Sequence, residues 1–132
     1  MENQIVLRML TEKAIAPMLS TNSNGTDSFT LFVSENLFVQ PRKTALAQTD
    51  IAVKVSQNLC AKIIPNPSSA CLGVYSVNNE YIINKDSGPL NFLLVNHTND
   101  IIGINAGTEI AKIYIDGLFA TCTAWKGGQR EM

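Results

Sequence analysis

The chain has 132 residues, 45% of them hydrophobic and 16% charged, which fits one packed domain and excludes a disordered chain. The formal net charge is −1 and Lys and Arg form no dense stripe, so a nucleic-acid surface is not indicated. An acid, Glu2, stands where a secretory leader carries basic residues, and no apolar run approaches about 18 residues, so neither a leader nor a membrane span is expected.

Read in chain order, the pattern is β throughout. Ile5–Met9 is a strand candidate. Thr11-Glu12-Lys13-Ala14 are good helix formers, so Leu7–Ala16 competes as a short helix that Pro17 would end. After the turn residues Asn22-Ser23-Asn24-Gly25, the residues Phe29, Leu31 and Val33 alternate with Thr30, Phe32 and Ser34. Such period-two runs of branched and aromatic residues predict half-buried strands. Leu37–Val39 precedes the turn Gln40-Pro41-Arg42, and Ile51, Val53 and Val55 alternate with Ala52 and Lys54. Cys60–Ile64, Gly73–Val77 and Tyr81–Ile83 follow, with Pro65-Asn66-Pro67-Ser68 as a turn and Ser68–Leu72 as a possible single helical turn. Asn84–Pro89 supplies turn residues, of which Asp86-Ser87-Gly88-Pro89 reads as a tight turn before the buried strand Leu90–Asn96 rather than as an active loop. Ile101–Ile104 reads as a core strand, and Glu109–Ile115 closes the series. Short strands every ~8–12 residues predict a sandwich, jelly roll or barrel. Residues 1–125 form one domain on this reading, and the polar tail 126–132 is loose unless a partner orders it.

Few residues suggest chemistry on their own. Cys60, Cys71 and Cys122 are an odd, widely spaced set without a Cys-x-x-Cys pair, best read as small buried or half-buried thiols in a reducing compartment. The only histidine, His97, sits at a strand end with no carboxylate pattern beside it, which predicts a turn hydrogen bond rather than a metal ligand or base. Asn96-His97-Thr98 matches a glycosylation sequon, expected to stay unmodified inside a cell. Trp125, near Leu118 and Phe119, fits either local packing or an anchor on a neighbouring subunit.

The order and spacing of several segments resemble the dUTPase family. Gly107-Thr108-Glu109-Ile110-Ala111-Lys112-Ile113 is similar to the family's Gly-Asp-Arg-Ile-Ala-Gln-Leu. Ala16-Pro17, Phe29–Phe32, Thr49-Asp50-Ile51, Cys60–Ser68 and Leu90–Asn96 fall at further family positions, so the likeness runs from Leu7 to about Phe119. The resemblance implies an all-β, jelly-roll-like barrel of the β-clip kind, assembled as a homotrimer around a threefold axis.

The same resemblance implies a site whose polar residues are wrong. Nucleotide pyrophosphate hydrolysis needs a carboxylate to activate water, a divalent ion on the phosphates, and cationic or amide donors for the developing charge. The family's first motif supplies an Asp near the metal, where this chain has Thr30. The second supplies an Arg and a Ser to the phosphates, where Asn66 and Pro67 stand, followed by Ser68. Counting back from Gly88, the third motif's water-activating Asp falls on Ile83 and its Tyr on Asp86. A one-residue shift offers Asn84, and only a larger rearrangement brings Asp86 into the base position. The fourth motif's Arg and Gln are Glu109 and Lys112. The last, Gly-rich motif is reduced to Lys126-Gly127-Gly128 without the uracil-stacking Phe. No catalytic residue, metal ligand or cofactor is therefore assigned, and Thr30, Asn66, Pro67, Ser68, Ile83, Asn84, Asp86, Glu109 and Lys112 are read as a vestigial nucleotide pocket.

Leu93–Thr98 and Gly107–Ile115 also resemble the catalytically degenerate, dUTPase-derived transforming protein of adenoviral early region four. That relative binds host signalling proteins, and its human-virus forms end in a PDZ-binding motif. Here Arg130 occupies the position that needs Ser or Thr, so PDZ binding does not carry over. The expected function is a viral, non-catalytic adaptor acting on host regulatory proteins in the cytoplasm or nucleus. The alternative is a divergent dUTP or nucleotide pyrophosphatase that uses Mg²⁺ in a rebuilt site. A purely structural β module is a third possibility.

Overall fold

A computed structural model of the chain describes residues 5–21, 27–55, 59–66, 73–115 and 120–123. These carry thirteen strands: β1 (Ile5–Met9), β2 (Met18–Thr21), β3 (Asp27–Phe32), β4 (Leu37–Val39), β5 (Thr44–Gln48), β6 (Ile51–Val55), β7 (Ala61–Pro65), β8 (Val74–Ser76), β9 (Tyr81–Ile83), β10 (Asn91–Asn96), β11 (Ile102–Ile104), β12 (Glu109–Ile115) and β13 (Ala120–Thr123). The all-β expectation is met, and the described residues contain no helix. The helical option over Leu7–Ala16 is overturned: β1 ends at Met9, and Leu10 donates its N–H to the Asp50 carbonyl at 2.9 Å. The possible helical turn over Ser68–Leu72 and the tail 126–132 lie outside the described residues.

The strands form four sheets, in the orders β13-β1-β6, β5-β10-β8, β11-β4 and β2-β3-β12-β7-β9. All pairs are antiparallel except β1 with β13. The inner faces converge on one core that includes Ile5, Leu7, Leu31, Val53, Ile63, Phe92, Leu94, Ile104, Ile110 and Ile113. Removing such side chains from water stabilises the fold by about 1.5–3 kcal/mol each.

Two local devices hold the sheets together. β6 pairs with β1 along one edge, while its other edge is laced by the segment before β10. Ser87 N donates to the Val53 carbonyl, Val53 N to Ser87 Oγ, Val55 N to Asp86 Oδ1, and Leu90 N to the Ile51 carbonyl, all between 2.8 and 3.0 Å. The second device is Asn96, fully buried at the end of β10. Its Nδ2 donates to the carbonyls of Val39 and Asp100 at 2.9 and 2.7 Å, and its Oδ1 accepts from Thr98 N and Oγ1 at 2.8 and 2.7 Å. A buried amide whose hydrogen-bonding capacity is filled in this way ties β10 to β4 and to the following turn. It also makes the Asn96 sequon unusable in the folded chain.

Some sequence expectations need correction. Cys60 is exposed rather than buried or half-buried, because it precedes β7 instead of lying in it. In the Ile101–Ile104 run, Ile101 is exposed and Ile104 alone is buried, since this short strand pairs only with β4. β3 is buried on both sides rather than one: Ser28 and Thr30, on the outer side, are also covered. The cause is its place between β2 and β12, where Met18, Lys112 and Tyr114 flank them.

Candidate nucleotide site

The nine pocket positions divide into two groups. β3, β12 and β7 gather the first. Lys112 lies opposite Thr30 on one side and Ile64 on the other. Glu109 lies opposite Phe32, and the register shifts between Glu109 and Ala111, a β-bulge at Ile110. In an unbroken strand, residues three apart point to opposite faces. The bulge resets that alternation, so Glu109 and Lys112 share the outer side with Phe32 and Thr30. Asn66 closes the group by donating its N–H to the Ile110 carbonyl at 2.8 Å. Pro67 and Ser68 lie outside the described residues.

Gly107 positions the start of β12. Its φ of +91° is a left-handed conformation that glycine adopts without steric cost. The turn it makes lets Gly107 N reach the Val33 carbonyl at 2.8 Å and Thr108 Oγ1 reach the Asn105 carbonyl at 2.7 Å. The family-like Gly-Thr-Glu run is thus a strand-entry device whose backbone geometry does not depend on the polar pair after it.

The second group lies around β9. Ile83, which counting back from Gly88 puts at the expected base position, pairs with Ala61 and packs against the core as an apolar side chain turned inward. Asn84 and Asp86 are exposed in the following loop. Asp86 Oδ1 accepts the Val55 N–H at 3.0 Å, and Ser87 holds Val53 in the same way. The one carboxylate in this loop is therefore occupied at a strand edge, as a cap is at a helix end. The tight turn expected over Asp86–Pro89 is replaced by an irregular segment that runs along β6, with Ser87 N and Leu90 N donating to the Val53 and Ile51 carbonyls.

The metal position fares no better. A hard divalent cation takes oxygen ligands, carboxylates foremost. Thr30 offers a neutral hydroxyl on a residue only 2% exposed. Among the described residues no three His, Cys, Asp or Glu side chains cluster as a metal would need. These residues do not fit the family's Mg²⁺, and no step through it is derived. His97 makes its turn contact through the backbone, His97 N donating to the Gly73 carbonyl at 2.9 Å. Its ring lies against Tyr75, with centroids 4.4 Å apart and planes tilted by 53°, a pairing between residues 22 apart that no local pattern announces.

A β-barrel built from these four sheets, with the strand-entry turn of β12 and the loop before β10, defines a dUTPase-type fold. A family model described as dUTPase matches residues 14–123, and the chain belongs to that family. Solved structures with the same fold include a point mutant of the dUTPase of phage phi11 of S. aureus, at 15% identity and TM-score 0.67, covering 97% of this chain and 95% of that one. A mutant dUTPase of Staphylococcus bacteriophage 80alpha with dUpNHpp matches at 16% identity and TM-score 0.68, over 97% and 95%. Another 80alpha mutant matches at 14% identity and TM-score 0.69, over 100% and 90%. No curated protein sequence matches significantly. No helix among the described residues is long and apolar enough to cross a membrane.

Proposed function

We propose that this chain is a dUTPase-derived interaction protein without pyrophosphatase activity, of viral origin, which acts as a homotrimer on host regulatory proteins inside the cell. The observation that carries this reading is the loop before β10: Ile83 packs inward and Asp86 is bound to Val55 N. A general base must reach the water it deprotonates, and an inward Ile83 and an Asp86 engaged at a strand edge support a site without one. Glu109 adds a negative charge where the family has Arg, which would repel a triphosphate. Loss of the base, metal carboxylate and phosphate clamps together removes effects worth several kcal/mol each.

The binding role draws support from relatives. The 80alpha phage enzymes are described as controlling transfer of virulence genes by a proto-oncogenic G protein-like mechanism. That description gives this fold a regulatory use alongside its chemistry. The likeness of Leu93–Thr98 to the adenoviral early-region-four protein points the same way.

The test has two arms. Release of dUMP and pyrophosphate from dUTP with Mg²⁺ should stay at the buffer rate even at high protein concentration, and robust turnover would favour the divergent-hydrolase alternative. Calorimetry with dUpNHpp should show no micromolar binding. Pull-down from host-cell extract then seeks the partner.

A further inference from the structure

We infer that the outer side of the β4-β11 sheet, with the turn after β4, docks an acidic peptide segment of a protein partner through Arg42, Phe38 and Ile101. The inference rests on the interaction-protein reading above and names the surface and the chemistry of that contact. Strand register defines the side. Phe38 lies opposite Gly103, and Ile101, two residues before Gly103, continues the same side. Val39 and Ile104 fill the core from the other. Phe38 and Ile101 remain 68% and 57% exposed.

Three features separate this place from scattered surface apolar residues. First, Arg42 is the third residue of the turn Gln40-Pro41-Arg42-Lys43, which Lys43 N closes by donating to the Gln40 carbonyl at 3.1 Å, and its φ is +60°. Glycine or asparagine suits that left-handed position, and arginine is strained there. A strained residue kept in place points to a use outside the fold. Second, the guanidinium is braced, with Arg42 Nε donating to Asn99 Oδ1 at 3.2 Å. Among the described residues no hydrogen bond or ion pair takes up its two terminal nitrogens, so a fork that matches a carboxylate is held and open. Third, the Phe38 ring is set in place. A Cβ added to Gly103 would lie 3.3 Å from Phe38 Cε1, so the ring lies across the glycine. Side chains ordered beforehand lose little freedom on binding.

Charge decides the occupant. Segments 36–44 and 99–105 carry the cations Arg42 and Lys43 against a single acid, Asp100. That positive balance beside two apolar side chains suits a carboxylate lying within a residue or two of a large apolar group. An anionic membrane would call for a denser set, about four to eight Lys and Arg, and a nucleic-acid backbone for a longer stripe.

The experiment selects random peptides displayed on phage against the immobilised full chain. The most enriched peptide, labelled with fluorescein, is then the probe for fluorescence anisotropy. Enriched sequences should carry Asp or Glu within a residue or two of Leu, Ile or Phe. Arg42→Gly and Phe38→Ala should each weaken binding of the probe by at least about tenfold. Arg42→Lys keeps the charge without the fork and should recover only part of the loss. Arg42→Gly should also hold the melting temperature level or raise it, because glycine relieves the left-handed position. If Phe38→Ala fails to fold, Ile101→Ala decides in its place. A smaller loss in either variant, or no enrichment of acidic sequences, overturns this surface and leaves the interaction-protein reading standing. A lower melting temperature in Arg42→Gly makes Arg42 a brace of the fold and overturns its part in binding. Arg42-dependent binding to vesicles of phosphatidylcholine and phosphatidylserine without peptide binding puts a membrane in the peptide's place and overturns the proposal too. Turnover of dUTP to dUMP by the same preparation would strike the interaction-protein reading instead.

Discussion

The loop before β10 and the outer side of β12 carry most of the positions that the family resemblance marks, and the fold uses them in different ways. In the loop, polar groups have been taken over by the fold: Asp86 and Ser87 bind the edge of β6, and Ile83 joins the core. On β12, Glu109 and Lys112, at the positions where we propose the family's Arg and Gln would stand, lie opposite Phe32 and Thr30. The first change is bound up with stability, while the second is a change of surface charge. Restoring β12 should therefore be easy and insufficient, whereas restoring the loop would cost the edge of a strand.

Substitutions can sharpen or break this contrast. The largest effect should come from Asn96→Ala, the extreme case of a polar group used by the fold. It removes four hydrogen bonds at a fully buried position and should destabilise the chain by about 3 kcal/mol, read by urea denaturation. Asp86→Ala should follow at about 1–2 kcal/mol, because it leaves Val55 N without its acceptor. A stability unchanged in Asp86→Ala would free this carboxylate for chemistry and undo the contrast. The double substitution Glu109→Arg with Lys112→Gln should move stability by less than about 0.5 kcal/mol and still yield no turnover of dUTP.

The smallest effect concerns Tyr81 on β9. Burial raises its phenol above the usual tyrosine range. The neutral phenol is thus favoured in the folded state, and its contribution is present below about pH 10 and lost as pH rises beyond it. Tyr81→Phe should flatten the alkaline decline of the melting temperature.

Much of the fold was legible where side chains followed the pleat. Ile5–Met9, Leu37–Val39, Ile51–Val55, Tyr81–Ile83 and Glu109–Ile115 carry enough branched residues to set their own limits. β2 and β5 were missed for opposite reasons. Met18-Leu19-Ser20-Thr21 sits between a proline and a polar loop, and Thr44-Ala45-Leu46-Ala47-Gln48 is rich in residues that favour helices. β5 is a strand because it pairs with β10, with Ala45 and Ala47 beside Leu94 and Phe92, and that ladder supplies the backbone partners. Tertiary pairing overrides propensity there.

The site was legible by position more than by geometry. The family spacing located Thr30 and Lys112, and the register places them side by side. It gave no hint that a bulge at Ile110 turns Glu109 to the same side, since a bulge breaks the period on which such reasoning rests. Nor could it show that Asp86 is held by Val55, because that bond joins residues 31 apart in the chain.

The most direct measurement is a saturation curve for dUTP hydrolysis with Mg²⁺, run on the wild type beside Asp86→Asn. Both should form dUMP and pyrophosphate only at the rate of buffer alone. Saturable turnover by the wild type that Asp86→Asn abolishes would contradict the account, for it would show this carboxylate working on water instead of on a strand edge.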